Sequence, residues 1–361
     1  MHSDNDEIKT TKNYGENTEK QPLLGMTLSQ LREVAESNGL KSFAAKQIAR
    51  WLYVARVCSI DEMTDLSKKS RECLNEKYIV GRQPPLMSVK SVDGTVKYLF
   101  VGRGNRDVEA VYIPDKDRAT LCVSSQAGCK MACAFCMTGR QGFHGNLTAA
   151  QILNQILSID NSEQLTNLVF MGMGEPTDNI DAVMNAIEIL TSEWGLAWSP
   201  KRITVSTIGR LPEMERFLRE TKVHIAISVH NPYPVERAKL MPSERAWHLH
   251  DIFEVLSRYD WRHQRRLSVE YIMWRGLNDD LRHADALAKL IKPCSARVNL
   301  IRFHEIGGID LYPSSRETME RFRDRLNSLG ITATIRASRG EDIMAACGML
   351  AGAGKESREN D

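Results

Sequence analysis

Cys129, Cys133 and Cys136 fall within eight residues, in the run Gly128-Cys129-Lys130-Met131-Ala132-Cys133-Ala134-Phe135-Cys136. This C-x3-C-x2-C spacing keeps three thiolates close enough to hold three corners of a 4Fe–4S cluster. No fourth cysteine follows at cluster spacing, so one iron would stay open. An open iron is a place for chemistry, whereas a fully ligated cluster mostly carries electrons. The competing reading is a zinc site that recruits Cys122 as fourth ligand. Structural zinc usually takes two separated ligand pairs, and here a second pair is missing.

The elements around this loop must place it. The run 119–124 alternates Leu121 and Val123 with Cys122 and Ser124, a strand pattern. The cysteine loop follows directly, at a strand's C-terminal end, where parallel α/β folds keep their sites. A second strand, 167–172, runs into Gly172-Met173-Gly174-Glu175-Pro176. Glycines at a strand end let backbone approach a ligand closely, and Glu175 adds a carboxylate able to accept from an ammonium group. Strand candidates continue at 202–207, 223–229, 267–273, 296–301 and 331–336, with helical stretches between them. That alternation predicts a parallel sheet wrapped by helices, open or curled into a barrel. Upstream, Val96–Val101 and Val108–Ile113 read as further strands.

These strands share a two-faced pattern. In 225–230, Ile225, Ile227 and Val229 share one face and Ala226, Ser228 and His230 the other; Ile203 and Val205 alternate with Thr204 and Ser206, and Leu267 and Val269 with Ser268 and Glu270. A doubly buried parallel strand should be apolar on both faces. The pattern predicts a curled sheet whose concave face lines a wet, ligand-filled cavity. The alternative is a set of buried hydroxyls bonded to nearby backbone.

The chain has 361 residues, 42% hydrophobic and 26% charged, with net charge +2. That is room for one large domain and a small one. No apolar run approaches the ~20 residues that span a bilayer, and the N-terminus lacks the apolar centre of a secretion signal; no membrane partner and a cytoplasmic location are expected. The net charge is too small to declare a nucleic-acid protein. Basic residues do bunch: Lys201 and Arg202; Arg262, Arg265 and Arg266; Arg316, Arg321, Arg323 and Arg325; Arg336 and Arg339. Such bunches track phosphates or form solvated faces. Residues 1–25 read as a disordered polar tail. Over 26–85, Thr27 with Gln30 forms a capping-box start, Asn38-Gly39 stops that helix, Ser42 can cap the next, and a third covers Lys68 to Lys77. Its basic side chains Lys41, Lys46, Arg50, Arg56, Lys68 and Lys69 could touch RNA phosphates. Cys58, Cys73 and Cys294 sit singly and read as packing residues.

With Phe135 before the third cysteine, the loop resembles that of the radical S-adenosylmethionine (SAM) superfamily, and Gly172–Pro176 is similar to its motif for the SAM amino group. The resemblance narrows with Glu109–Pro114, Arg118–Gln126, Gln141-Gly142-Phe143, Thr204–Thr207, Ala226–His230, Asn299-Leu300-Ile301 and Arg336–Gly348. Together these resemble the RlmN/Cfr family of RNA methyltransferases from about residue 90 to 350, closer to its RlmN branch. The resemblance implies an α/β fold: a partial (β/α) barrel of the radical SAM type over 90–350, a helical RNA-binding accessory domain over 26–85, and a C-terminal tail over 351–361.

The resemblance also implies a mechanism suited to adenine C2, which is too electron-poor for direct polar methylation. Cys347 takes a methyl from one SAM. A second SAM, at the cluster held by Cys129, Cys133 and Cys136, gives a 5′-deoxyadenosyl radical that removes a hydrogen from the methylated cysteine. The carbon radical adds to the RNA adenine, Glu109 takes a proton, and Cys122 resolves the protein–RNA thioether by forming a disulfide with Cys347. SAM is expected at Gly174, Glu175, Ser206, Ser228, Val229, His230 and His304. At the last position the familiar pattern has asparagine; histidine can still donate or accept one hydrogen bond. Substrates would be an adenosine in the peptidyl-transferase region of 23S rRNA and the adenosine 3′ of the anticodon in certain tRNAs. The electron donor would be a flavodoxin and its reductase. From the residues alone, Cys122 reads as a packed strand cysteine, Cys347 as a packed helix residue or an exposed thiol, and Glu109 as an edge-strand surface glutamate or a partly desolvated base. Two rivals remain: C8 methylation of the same adenosine, and a non-catalytic iron–sulfur RNA-binding or ribosome-assembly protein.

Overall fold

The structure is a computed structural model that describes residues 20–104, 106–261 and 265–351. The helical segment forms as its caps dictate. Helix α1 (Leu28–Ser37) starts where Thr27 Oγ1 accepts the Gln30 N–H and Gln30 Oε1 accepts the Thr27 N–H, and it buries Leu31, Val34 and Ala35. Helix α2 (Ala44–Ala49) runs on into a π-helical turn, Arg50–Ala55. Its cap is Phe43, with no side-chain bond, where Ser42 was expected. Helix α3 is Lys68–Lys77. The described residues 20–25, placed by the sequence in the polar tail, are built into the fold. Gln21–Pro22 pairs in parallel with Tyr78–Ile79, and Leu23 and Leu24 are buried, because these two apolar side chains complete the small core. The rest of the expected N-terminal tail and residues 352–361 lie outside the described residues.

Ten strands form one sheet. Three antiparallel strands, β1 (Met87–Lys90), β2 (Val96–Arg103) and β3 (Arg106–Asp115), lead into β4 (Arg118–Cys122). From β4 the sheet is parallel: β5 (Asn167–Phe170), β6 (Ile203–Thr207), β7 (His224–Ser228), β8 (Leu267–Met273), β9 (Arg297–Arg302) and β10 (Ala333–Ile335). Their order in space is their order in the chain. Right-handed crossovers then put the long connecting helices on the same face: α4 (Ala149–Leu157), α5 (Ile180–Thr191), α6 (Leu211–Glu220), α7 (Leu249–Ser257), α8 (Leu281–Ile291) and α9 (Arg316–Ser328). The apolar strand faces, Leu121, Ile203, Val205, Ile225, Ile227, Leu267 and Val269, are buried in the main core with these helices. The small polar face is left for the other side, as the alternation predicts.

The helical segment packs on the helix side. Tyr53 meets Trp194 edge to face, and Arg82 donates to the carbonyl of Leu157 at the end of α4. Arg56 reaches Ser162 in the loop after α4, so it serves this joint. Of the basic bunches, some arginines are tied into the fold and others lie in ion pairs on a solvated helix face. Arg265 is buried and donates to the Leu218 and Thr221 carbonyls at the end of α6; Arg262 lies outside the described residues. Arg202 donates to the Leu165 and Thr166 carbonyls and stacks on Trp198. Arg316, Arg323 and Arg325 pair with Glu320, Asp324 and Asp285. Cys294 is buried and Cys73 partly so, but Cys58 is exposed, on the polar turn that leads to Ser59.

One buried amide ties α4 to the strand that launches the cysteine loop. Gln155 Oε1 accepts the Ser124 N–H at 2.9 Å, and its Nε2 donates to the Ser124 carbonyl at 3.0 Å. Gln155→Leu strands both backbone groups without water. The expected loss in unfolding free energy is about 1–3 kcal/mol per group, read by urea titration followed by circular dichroism.

Candidate active site

The concave face and the loops at the strand ends enclose an open cavity of about 1170 Å³. Cys129, Cys133 and Cys136 line one wall. Gly174 and Glu175 come from the β5 end, Ser206 from β6, Ser228 and His230 from β7, and Glu270 from β8. Cys122 and Cys347, far apart in sequence, line the same space.

The cysteine loop sits in an apolar cluster of its own, separate from the main core. Met131, Cys133 and Phe135 pack there with Met241, Ile272, Trp274, Ile301 and Phe303. Phe135 lies 5.0 Å from His230, edge to face, and 5.0 Å from Trp274, centroid to centroid. The loop closes on itself at Gly128 (φ +72°), where a Cβ would lie 1.9 Å from the Gly142 carbonyl oxygen. Burial pushes the Cys129 thiol up to about 12. Burial first, then the neighbouring thiols, raises Cys133, and burial raises Cys136. Thiolates in such a place need a cationic partner. Among the described residues, no three His, Cys, Asp or Glu side chains converge tightly enough to hold a single metal ion. A polynuclear cluster takes its thiolates at separate corners instead, and a lining of three thiols around one wall fits that group.

Glu175 is fully enclosed. Its Oε1 accepts from the Thr177 N–H and from the hydroxyls of Thr177 and Thr207; its Oε2 accepts from the Ile208 N–H at 3.1 Å. Burial raises its pKa, and these donors oppose the rise. The Glu175 N–H is held in turn by Gln126 Oε1 at 2.8 Å. At Gly174 (φ +96°) a Cβ would strike the Gln126 side chain at 2.5 Å, so glycine is required there.

His230 has φ +58°, a left-handed backbone that few side chains adopt. Its Nδ1 accepts the Ile272 N–H at 3.0 Å. The imidazole is therefore neutral with its proton on Nε2, and burial, then Arg237, lowers its pKa from 6.5 to about 3. The turn around it is fixed by two buried side chains that composition could not single out. Arg237 pairs with Glu244 and donates to the Ser228 and Val229 carbonyls. Asn278 bridges the His230 and Ile272 carbonyls and accepts the Trp274 N–H.

Cys122 is buried on β4, and burial, with Cys347 second, pushes its thiol up to about 12. Cys347 is exposed to the cavity. Between them reaches Arg336, whose Nη1 lies 3.6 Å from Met171 Sδ and 3.7 Å from Glu270 Oε2. The Cys347 thiol raises the Arg336 pKa, and Arg336 in turn opposes the rise at Cys122. The sequence offers Arg336 as part of a basic bunch and as the start of the run Arg336–Gly348, with no role assigned; its place beside the two thiols comes from the curl of the sheet.

The first of the comparisons with known proteins is a match of residues 123–288 to the Radical SAM superfamily. Residues 21–80 match the ribosomal RNA large subunit methyltransferase N-terminal domain. The chain is 56% identical over 337 residues to the probable dual-specificity RNA methyltransferase RlmN of Bacteroides fragilis, covering 93% of this chain and 98% of that protein. It is 38% identical to the dual-specificity RNA methyltransferase RlmN of Bdellovibrio bacteriovorus, over 94% of this chain and 86% of that one. The chain belongs to the RlmN family. A crystal structure of a radical SAM methyltransferase from Sphaerobacter thermophilus superposes with a TM-score of 0.84 at 36% identity, covering 91% of this chain and 99% of that one. Membership makes this RlmN-type chain a radical SAM methyltransferase, and implies a 4Fe–4S cluster and SAM.

Three expected site residues of this RlmN-family chain lie off the main cavity. Val229 points into the main core, and its N–H donates to the Glu270 carbonyl, because it alternates with the cavity-facing Ser228 and His230. His304 lines a neighbouring cavity, with Nε2 3.1 Å from Ser338 Oγ and Nδ1 3.7 Å from Glu341. Glu109 is buried beside the cavity wall, not on an exposed edge. Lys97 Nζ lies 3.0 Å from Oε1, and Oε2 accepts the Ala351 N–H at 2.9 Å.

The depressed pKa of His230 has a consequence with a definite sign. Unfolded, this histidine takes a proton below about 6.5; folded, it stays neutral down to about 3. Its contribution is fully present above 6.5 and is lost as pH falls from 6.5 toward 3. Asparagine tolerates the left-handed backbone and keeps an acceptor for the Ile272 N–H. His230→Asn is therefore expected to fold and to flatten the acid slope. Between pH 6.5 and 5 the wild type should lose about 2 kcal/mol more than the variant, measured by denaturant unfolding at each pH.

Proposed function

We propose that this chain methylates C2 of an adenosine in 23S rRNA and in tRNA, with Cys347 as methyl carrier and Cys122 as resolving thiol. One observation carries this reading: Cys122 and Cys347 line the cavity of the three-cysteine loop. In it, Cys129, Cys133 and Cys136 hold the cluster, and Glu175, Ser206, Ser228 and His230 hold SAM. Glu175 Oε2 accepts from the SAM ammonium, and the neutral His230 offers its Nε2–H. When bound, the cluster and two SAM molecules per turnover supply a methyl group and a hydrogen-abstracting radical.

The protein's own residues do the rest. Cys347 accepts the methyl as a thioether and presents its carbon to the adenine. Glu109 accepts the C2 proton, for which the Ala351 N–H must yield its place, and the odd electron left on the adduct would return to the oxidised cluster, which leaves a closed-shell protein–RNA thioether. Cys122 Sγ then attacks Cys347 Sγ: the S–S bond forms, the S–C bond breaks, and the carbon takes a proton to become the product methyl. A thiol reductant reopens the disulfide. Cys122 must ionise for this attack although burial opposes it, and Arg336 is the cation beside it. The helical segment docks RNA, and a flavodoxin-like one-electron carrier reduces the cluster.

Anaerobically reconstituted protein, unmodified RNA and nucleoside mass spectrometry test the reading. The expected product is 2-methyladenosine; 8-methyladenosine in its place would mean C8 chemistry. Cys347→Ala should abolish methylation while the cluster absorbance survives; a fully active variant would end the carrier assignment. Cys122→Ala should accumulate a covalent protein–RNA adduct on denaturing gels. Arg336→Gln should accumulate it too, by slowing the same step roughly tenfold or more, since a charge-assisted contact is worth about 1.5–3 kcal/mol.

A further inference from the structure

A second open cavity, of about 1050 Å³, adjoins the first. The two share a wall made of Ile113, Ile301, Arg336 and the segment Ala345-Ala346-Cys347. Neither the cluster cysteines nor Glu175, Ser206, Ser228 and His230 line the second cavity. Its own lining is Asp115, Arg118, Thr120, His304, Ser338 and Arg339, with Ala337.

We propose that this second cavity seats the target nucleotide of the RNA, with Arg118 and Arg339 on a flanking phosphate and His304 with Ser338 facing the base or ribose. The inference rests on Cys347 being the methyl carrier. A carrier thiol must meet a donor and an acceptor. Cys347 is the reactive side chain that opens onto both cavities; Gly174, Glu175, Ser206, Ser228 and His230, expected to hold the donor, line only the first, and of the expected donor residues His304 alone lines the second. The acceptor is a nucleotide drawn out of an RNA chain, which brings its phosphates with it. Three arginines against one carboxylate suit that charge, and the carboxylate, Asp115, is already matched by Arg339 at 3.3 Å. Arg118 is exposed at the start of β4. Thr120, His304 and Ser338 add neutral donors and acceptors, which phosphate binding alone does not require but base or ribose recognition does. His304 occupies the position where the family pattern has asparagine, so this chain's departure from the pattern falls at the substrate.

The test uses the full-length reconstituted enzyme with unmodified RNA transcripts. Arg118→Glu should raise the KM for RNA roughly tenfold, and Arg118→Ala should lower the salt slope of RNA binding by about 1, as loss of one phosphate contact does. His304→Asn should change the KM for RNA and leave the KM for SAM in place. Unchanged RNA KM in Arg118→Glu, or a His304→Asn effect confined to SAM, would overturn the assignment. Wild-type protein treated with SAM alone and analysed by peptide mass spectrometry separates the two levels of argument. Without a methyl on Cys347, the carrier reading falls; with the methyl present and RNA binding insensitive to Arg118, only the nucleotide seat falls.

Discussion

The strand order sets the terms for everything else. Because each parallel strand lies beside its predecessor in the chain, right-handed crossovers send the six long connecting helices to one face. The other face gets none of these; two short helices, Met137–Arg140 and Pro234–Leu240, pack against the cysteine loop and the C-terminal segment instead. A sheet with apolar residues on both sides would be unstable in that arrangement, so one side must carry groups that tolerate water or a ligand. Cys122, Ser206, Ser228 and Glu270 meet that requirement, and the curl that brings β4 opposite β8 and β9 turns a row of small polar residues into a chamber. The chemistry is placed there because the topology leaves no other packed but open surface.

Electrostatics inside the chamber follow from its dryness. Three thiols, a carboxyl and an imidazole are pushed toward their neutral forms, chiefly by burial. The thiols and the carboxyl would each be relieved by something positive; on the reading proposed above that is a cluster for the thiols and an ammonium group for Glu175. The imidazole is the exception, since neutrality suits a hydrogen-bond donor. Among the described residues Glu270 Oε2 is buried without a hydrogen-bond partner, and the Arg336 guanidinium stands 3.7 Å away, near enough to attract but not to bond. That leaves Arg336 free to answer a negative charge developing on either of the two thiols it reaches.

Much of this was legible in the sequence because it is local. The strands 202–207, 223–229 and 267–273 are found within a residue of their predicted ends, since period-two alternation records which face is buried. The cysteine loop, Glu175 and the cavity-facing alternation were readable for the same reason. What escaped depends on contacts between distant segments. Val229 was assigned with its neighbours Ser228 and His230, yet one residue of register turns it into the core. Arg265 reads as surface charge, but it satisfies carbonyls at the end of a helix more than forty residues away. His304 and Glu109 were placed by resemblance. Their actual neighbours, Ser338 and Glu341 for one and Lys97 and Ala351 for the other, come from the C-terminal segment and the antiparallel edge.

That C-terminal segment is anchored on both sides of Cys347. Before Cys347, Asp342 accepts from the Ser91 hydroxyl at 2.6 Å and the Val92 N–H at 3.1 Å, and the Gly340 N–H donates to Asp93 at 3.0 Å. After it, the Gly348 carbonyl accepts the Met137 N–H at 2.9 Å, and the Leu350 carbonyl accepts the Thr138 hydroxyl at 2.6 Å. The first set anchors to the β1–β2 hairpin, the second to the short helix that follows the cysteine loop. Cys347 sits on the short span between them, among alanines and a glycine, whose small side chains let backbone shift at little packing cost. The second anchor also covers Glu109 through Ala351. On the reading proposed above, in which Cys347 carries the methyl group and Glu109 takes the proton, releasing that end would free the one and uncover the other in one movement, while the first anchor kept the Cys347 thiol within reach of Cys122.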